Sequence, residues 1–198
     1  MPFPGEDMGP GIANFAPMAE LTPAQLERYP GEVARKRLLA HGNVFTSVYA
    51  RNCELRRIDQ AQADAFFGSY HDLGATRCRY RYGLFIARTG HCPLPRGTMV
   101  AAAGFSSPRR WNKGGVAIFS YEWVRYASLP DVRVAGGMGK LLKAFIDEVK
   151  PDDVMSYADA AWSDGDVYRK LGFTEEEEAK VFPDGSRSLK FRLKLKDW

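Results

Sequence analysis

Residues 131–145, DVRVAGGMGKLLKAF, constrain the fold of this chain more than any other stretch. Val132 and Val134 lead into Gly136, Gly137 and Gly139. Beyond them Leu141, Leu142, Phe145, Ile146 and Val149 recur at helical spacing, which predicts a glycine turn running directly into an amphipathic helix. Residues 118–127, just upstream, are aromatic and β-branched and read as a strand. Strand, glycine turn and helix together make an anion cradle: without a Cβ the backbone approaches a ligand closely, and the free N–H groups of the first helical turn point at it. The alternative is a helix start whose glycines serve only close packing.

Residues 153–158 read as a further strand, and SDGDVYRKLGF follows at residues 163–173. A glycine turn, an intervening strand and this ending resemble the GNAT superfamily of acetyl-CoA-dependent acyltransferases. In that superfamily a turn of type Q/R-x-x-G-x-G/A holds the pyrophosphate, and a later helix ends in Tyr-x-x-x-Gly-Phe. Gly137-Met138-Gly139 matches the core of the turn, with Val134 at its first position and Arg133 one residue out of register; Tyr168, Gly172 and Phe173 match the ending. The resemblance covers residues 43–198. It implies an α/β fold, a GNAT-like mixed twisted sheet of about six or seven strands with helices on both faces. It implies acetyl-CoA as cofactor, held at Val134, Gly136, Gly137, Met138, Gly139 and Lys140, with its thioester beside Trp123, Val124 and Arg125. It also implies Tyr168 as the acid for the leaving thiolate and Glu122 as the base, often through water. The structural alternative for Glu122 is a pair with Arg125 or Arg81.

The rest of the chain limits the function classes. At 198 residues it suits one domain with a terminal extension, and 12 Phe, 9 Tyr and 4 Trp supply a core. The net charge of +4 suits an anionic cofactor or nucleic acid. Cys53, Cys78 and Cys92 show no metal-ligand spacing, so reduced thiols, a cytoplasmic location and no metal are expected. No secretory leader is visible, and no apolar run is long enough for a bilayer.

In order along the chain, residues 1–21 are expected to be a flexible arm rich in Pro and Gly, and residues 22–42 a helical extension begun by Thr22-Pro23 and carrying Arg35, Lys36 and Arg37. Residues 43–198 form the acyltransferase-like domain. Strands are expected at 43–50 and 53–58, then a helix opened by Asp59 that carries Phe66, Phe67 and Tyr70 inward. His71 follows in a loop next to Asp72, where it either orients a substrate and moves a proton or satisfies loop hydrogen bonds. Residues 79–85 alternate Arg and Tyr, and residues 98–105 read as a central apolar strand, joined by a connection that holds His91. Residues 106–115, with Arg109, Arg110, Trp111 and Lys113, read as a polar loop able to stack on a nucleotide. Asp159, with Trp162 and a helix-capping Ser163, falls at a strand end where open α/β sheets hold ligands, so Asp159 and Ser163 are candidate acceptor contacts. A final hairpin turns at Pro183-Asp184-Gly185.

The function expected from all this is N-acetyl transfer from acetyl-CoA to a small-molecule or peptide amine, by a monomer or homodimer. Two alternatives stay open. Residues 48–53, the YHDLG segment and residues 156–173 also resemble a phage-associated, Mom-like branch that modifies bases in nucleic acid. The other alternative is a non-catalytic GNAT-fold module that binds coenzyme A or another ligand.

Overall fold

The computed structural model describes residues 44–89, 92–160, 163–181 and 185–197, preceded by Gly31, Leu39 and Gly42. The arm over 1–21, nearly all of the extension over 22–42, His91, Trp162 and the Pro183-Asp184 turn lie outside the described residues. Strand β1 is Thr46–Tyr49, and a single 3-10 turn at Ala50–Asn52 leads into β2, Cys53–Arg57. Helix α1, Gln60–Tyr70, starts after Asp59 as the sequence predicts, and a reciprocal cap opens it. The Asp59 carboxylate accepts from the Gln62 backbone N–H at 2.7 Å, and the Gln62 side chain accepts from the Asp59 N–H at 3.1 Å.

Next come β3 (Tyr80–Ile86), β4 (Met99–Phe105), β5 (Arg109–Lys113), β6 (Val116–Ser128), β7 (Val132–Ala135) and helix α2 (Gly137–Val149). They are followed by β8 (Asp153–Asp159), the short helix α3 (Asp166–Lys170), β9 (Thr174–Val181) and β10 (Arg187–Lys194). Seven strands run in the order β2-β3-β4-β6-β8-β10-β9, and β5 pairs with β6 as an eighth member of the sheet. Neighbours are antiparallel except β6 and β8, which are parallel. The fold is therefore α/β and mixed as expected, with one strand more than expected in the main sheet.

Alternation along β4 puts helices on both faces of the sheet. Ala101, Ala103 and Phe105 face α2, and Phe105 stacks on Phe145 at 4.0 Å between ring centres. Ala102 faces the other way, against Phe66 and Phe67 of α1. Buried aromatics of this size dominate the apolar area removed from water, each contributing about 1.5–3 kcal/mol.

Three local expectations are corrected. Residues 106–115 are not a loop: Arg109–Lys113 pair with Val116–Ser120 across Gly114-Gly115, so the tight glycine turn closes a hairpin. Residues 132–135 do not simply lead into the glycine turn. They form β7, which runs parallel to β1 in a separate two-stranded sheet, Thr46 opposite Val132 and Tyr49 opposite Ala135. Ser163 does not cap the helix of Tyr168. Gly165, at φ +84°, stands at that position, and Ser163 Oγ accepts from the Gly165 N–H at 3.1 Å, capping the preceding turn.

Candidate active site at the splayed strands

Strands β6 and β8 pair over only four residues, from Ser120 opposite Asp153 to Trp123 opposite Ser156. Beyond that rung they diverge: β6 continues on β4, and Tyr157, Ala158 and Asp159 continue on β10. A β-bulge falls at the divergence. Phe105 is opposite Trp123 and Gly104 opposite Arg125, so Val124 is matched by no residue of β4 or β8. Side chains take over where the ladder stops. Ser156 Oγ donates to the Trp123 carbonyl at 3.0 Å, the Arg125 guanidinium to the Val124 carbonyl at 2.9 Å, and the Trp123 indole N–H to the Arg125 carbonyl at 3.0 Å.

Tyr168 closes this fork. Its ring stacks on Phe191 at 5.0 Å and 13°, and meets Trp123 and Phe173 edge-on at 6.3 and 5.5 Å. Its hydroxyl lies 3.0 Å from Ser156 Oγ and 3.4 Å from the Tyr157 carbonyl. Burial raises the phenol pKa, and the Ser156 hydrogen bond works the other way. The short helix is placed by Gly165, since a Cβ there would land 2.0 Å from the Phe191 ring. Only glycine combines that approach with a positive φ.

The glycine turn forms a second part of the site. Gly136 takes φ +74° at the N-terminus of α2, where no side chain caps the helix, so the first-turn N–H groups have no partner within the helix. Gly137 serves packing, because a Cβ there would meet Val134 at 2.9 Å. At Gly139 a Cβ would meet only Leu171 at 3.4 Å, which brings the end of the Tyr168 segment against the turn. The Lys140 ammonium does not reach outward: it donates to the Ala50 and Cys53 carbonyls at 2.9 and 2.6 Å. Arg133 lies over the Phe45 ring, 5.0 Å from its centre.

The remaining candidates spread along β6 and the strand ends. Glu122 pairs with Arg109 at 3.7 Å, not with Arg125 or Arg81. By alternation it points to the face of β6 opposite Trp123 and hence Tyr168. His71 ends α1; its Nδ1 lies 2.8 Å from an Asp72 carboxylate oxygen and accepts from the Leu73 N–H at 3.1 Å. Arg125 fastens this loop to β6 through the Leu73 and Gly74 carbonyls, so His71 and the fork strand are joined through one side chain. The Asp159 carbonyl accepts from the Ser163 N–H at 3.0 Å, which sets those two residues side by side at the end of β8.

Two residues of the site were not singled out from the sequence. Ser156 is a buried serine within VMSYA, and a hydroxyl between apolar neighbours was its only signal. The Tyr126 hydroxyl lies 3.4 Å from where a Gly137 Cβ would stand, and burial raises its pKa strongly. Strand alternation shows no link between Tyr126 and the glycine turn.

The cradle fits an anion on its own evidence: an uncapped helix end, a left-handed glycine and a nearby hydroxyl. No helix among the described residues is long and apolar enough to cross a membrane.

No family model matches the sequence. No curated protein matches it. Solved structures do. The ribosomal-protein-S18-alanine N-acetyltransferase from Escherichia coli is 16% identical with a TM-score of 0.52, covering 74% of this chain and 96% of its own. A protein from Desulfovibrio desulfuricans assigned to the GNAT family of acetyltransferases is 13% identical with a TM-score of 0.52, covering 73% and 99%. A chain of the NatC complex bound to Gag peptide and CoA is 13% identical with a TM-score of 0.51, again covering 73% and 99%. The chain has the GNAT fold.

Proposed function

We propose that this protein transfers an acetyl group from acetyl-CoA to an amine. The observation that carries the reading is the fork: β6 and β8 part at Trp123 and Ser156, Val124 is left out of both ladders, and the Tyr168 hydroxyl stands at the apex. When bound, acetyl-CoA supplies an activated thioester. The backbone N–H groups of Gly137, Met138 and Gly139 take the pyrophosphate, with Val134 and Gly136 shaping the turn and Tyr126 adding a hydroxyl. Lys140 contributes indirectly, by tying the turn to Ala50 and Cys53. Trp123, Val124 and Arg125 line the thioester, whose carbonyl would be polarised by a backbone N–H of this segment. Glu122, through water, or His71 takes the proton from the ammonium, and the free amine attacks the acetyl carbon. As the C–S bond breaks, Tyr168 passes its hydroxyl proton to the departing sulfur. Asp159 and Ser163 sit where the acceptor enters.

Calorimetry with acetyl-CoA tests this reading. Saturable binding is expected, lost in Gly139→Val without unfolding, followed by thiol release on adding polyamines or peptide N-termini. No binding at millimolar acetyl-CoA retires the transfer reading. Binding without transfer to any amine leaves the non-catalytic module.

One observation favours the base-modifying alternative. All five residues of β5 are exposed, Trp111 at 48%, and the strand also carries Arg109, Arg110 and Lys113. Arg77, Arg79 and Arg81 would have to share the same rim. Binding to duplex DNA that weakens steeply with salt supports that alternative, and a flat salt response removes it.

A further inference from the structure

Ser156 occupies the last rung of the β6–β8 pairing and is 2% exposed. Its single hydroxyl proton faces two oxygens at the same distance, the Trp123 carbonyl and the Tyr168 phenol, each at 3.0 Å. A carbonyl only accepts, whereas a phenol donates or accepts. The protons can be arranged in two ways, and only the first keeps the Ser156 donor on the Trp123 carbonyl. In one, Tyr168 donates to Ser156, which donates to the Trp123 carbonyl. In the other, Ser156 donates to Tyr168, which is free to direct its own proton elsewhere.

We propose that Ser156 is the positioning residue for Tyr168: it fixes the phenol at the fork and turns its hydroxyl proton onto the phenolate once Tyr168 has given its proton away. The role rests on the acetyl-transfer reading. In that step nitrogen forms a bond to the acetyl carbon, and the C–S bond breaks with its electron pair on sulfur. The Tyr168 proton goes to that sulfur, giving the thiol, and the negative charge moves to the phenolate. Ser156 O–H then stabilises the phenolate until water returns a proton. Without this hydrogen bond the charge would form among apolar rings, where an unsolvated anion is costly.

Among the described residues that touch Tyr168, Ser156 is the one with a hydroxyl to do this. Phe191, Trp123 and Phe173 pack against the Tyr168 ring, and none of them titrates. The Tyr157 carbonyl cannot donate. The Arg169 guanidinium, over the Phe191 ring at 5.6 Å from its centre, is paired with Asp166 and Glu175.

The test uses full-length protein with tyrosine labelled at the ζ-carbon, compared as wild type, Ser156→Ala, Ser156→Thr and Tyr168→Phe. The signal missing in Tyr168→Phe identifies the Tyr168 phenol, and its titration is followed by NMR. Ser156→Ala is expected to move that titration to higher pH, because a bond favouring the phenolate is gone, and Ser156→Thr to restore it. With the amine found by the acceptor panel, Ser156→Ala is expected to lower kcat about tenfold at unchanged acetyl-CoA KM, the size of one hydrogen bond to a charged group. A Tyr168 titration that does not move in Ser156→Ala, or is not restored by Ser156→Thr, overturns the assignment. Failure of the wild type to bind acetyl-CoA instead retires the transfer reading and Ser156's part in it, so the two failures are told apart.

Discussion

The parallel seam between β6 and β8 ends in two opposite ways. At one end, charges lock it. Ser120 donates to the buried Asp153 carboxylate at 2.5 Å, Arg192 pairs with Asp153 at 3.0 Å and also binds Glu176, and Lys190 meets Glu176 at 2.6 Å. At the other end the seam opens, bridged by two neutral hydroxyls and a ring stack. The difference teaches how a sheet can be split without coming apart. The charged clamp holds the two strands at fixed spacing, and the split begins four residues later at a bulge. Charge belongs at the locked end, where it is paired. At the open end the strands are joined instead by the Ser156 and Tyr168 hydroxyls and by the stack of Tyr168 on Phe191.

Four substitutions test this division, the largest expected effect first. Tyr168→Phe keeps the ring on Phe191 and removes the hydroxyl. It is expected to lower kcat by roughly 10²–10⁴-fold with nearly unchanged acetyl-CoA affinity and melting temperature. A lower melting temperature with intact turnover would instead make the open end merely structural. Arg192→Leu strips the partner from a carboxylate that is 1% exposed, and about 3–5 kcal/mol of stability should vanish in urea denaturation. A loss below 1 kcal/mol would show that the seam does not depend on its clamp. Gly165→Ala drives a methyl into the Phe191 ring at a left-handed backbone position and should destabilise by about 1–3 kcal/mol. It should also reduce turnover, because Tyr168 loses its platform.

The smallest effect is acid dependence at the locked end. Arg192 foremost, with Lys190, holds the Glu176 carboxyl well below its ordinary value, at about 2. A lowered carboxyl pKa gives stability that is full above the ordinary value near 4.5 and is lost as pH falls towards 2. Glu176→Gln should flatten that window of the acid-unfolding curve and leave neutral turnover alone. An unchanged curve would remove Glu176 from the clamp.

What could be read from the sequence follows the same division. The glycine turn and helix α2 were legible because Gly136–Gly139 and the 3.6-residue apolar period are local signals. So was the helix start at Asp59. The Tyr168 ending was legible only through its resemblance to the GNAT pattern. The fork was not. Its bulge at Val124 exists only relative to β4, and Ser156 matters only because Trp123 and Tyr168 arrive from segments 33 and 12 residues away. The hairpin at 109–120 was missed because β5 is exposed along its length and lacks the apolar alternation that marks a strand. Strand β7 was hidden because its partner β1 lies far back in the chain.

That distant partnership governs the order of assembly. Lys140 holds the glycine turn to carbonyls 90 and 87 residues earlier, and β7 runs beside β1 rather than beside its sequence neighbours. Contacts spanning that much chain close slowly, after the local hairpins. On a ribosome the segment around Ala50 emerges long before the turn it will grip. The glycine turn is therefore expected to be among the last features to be finished.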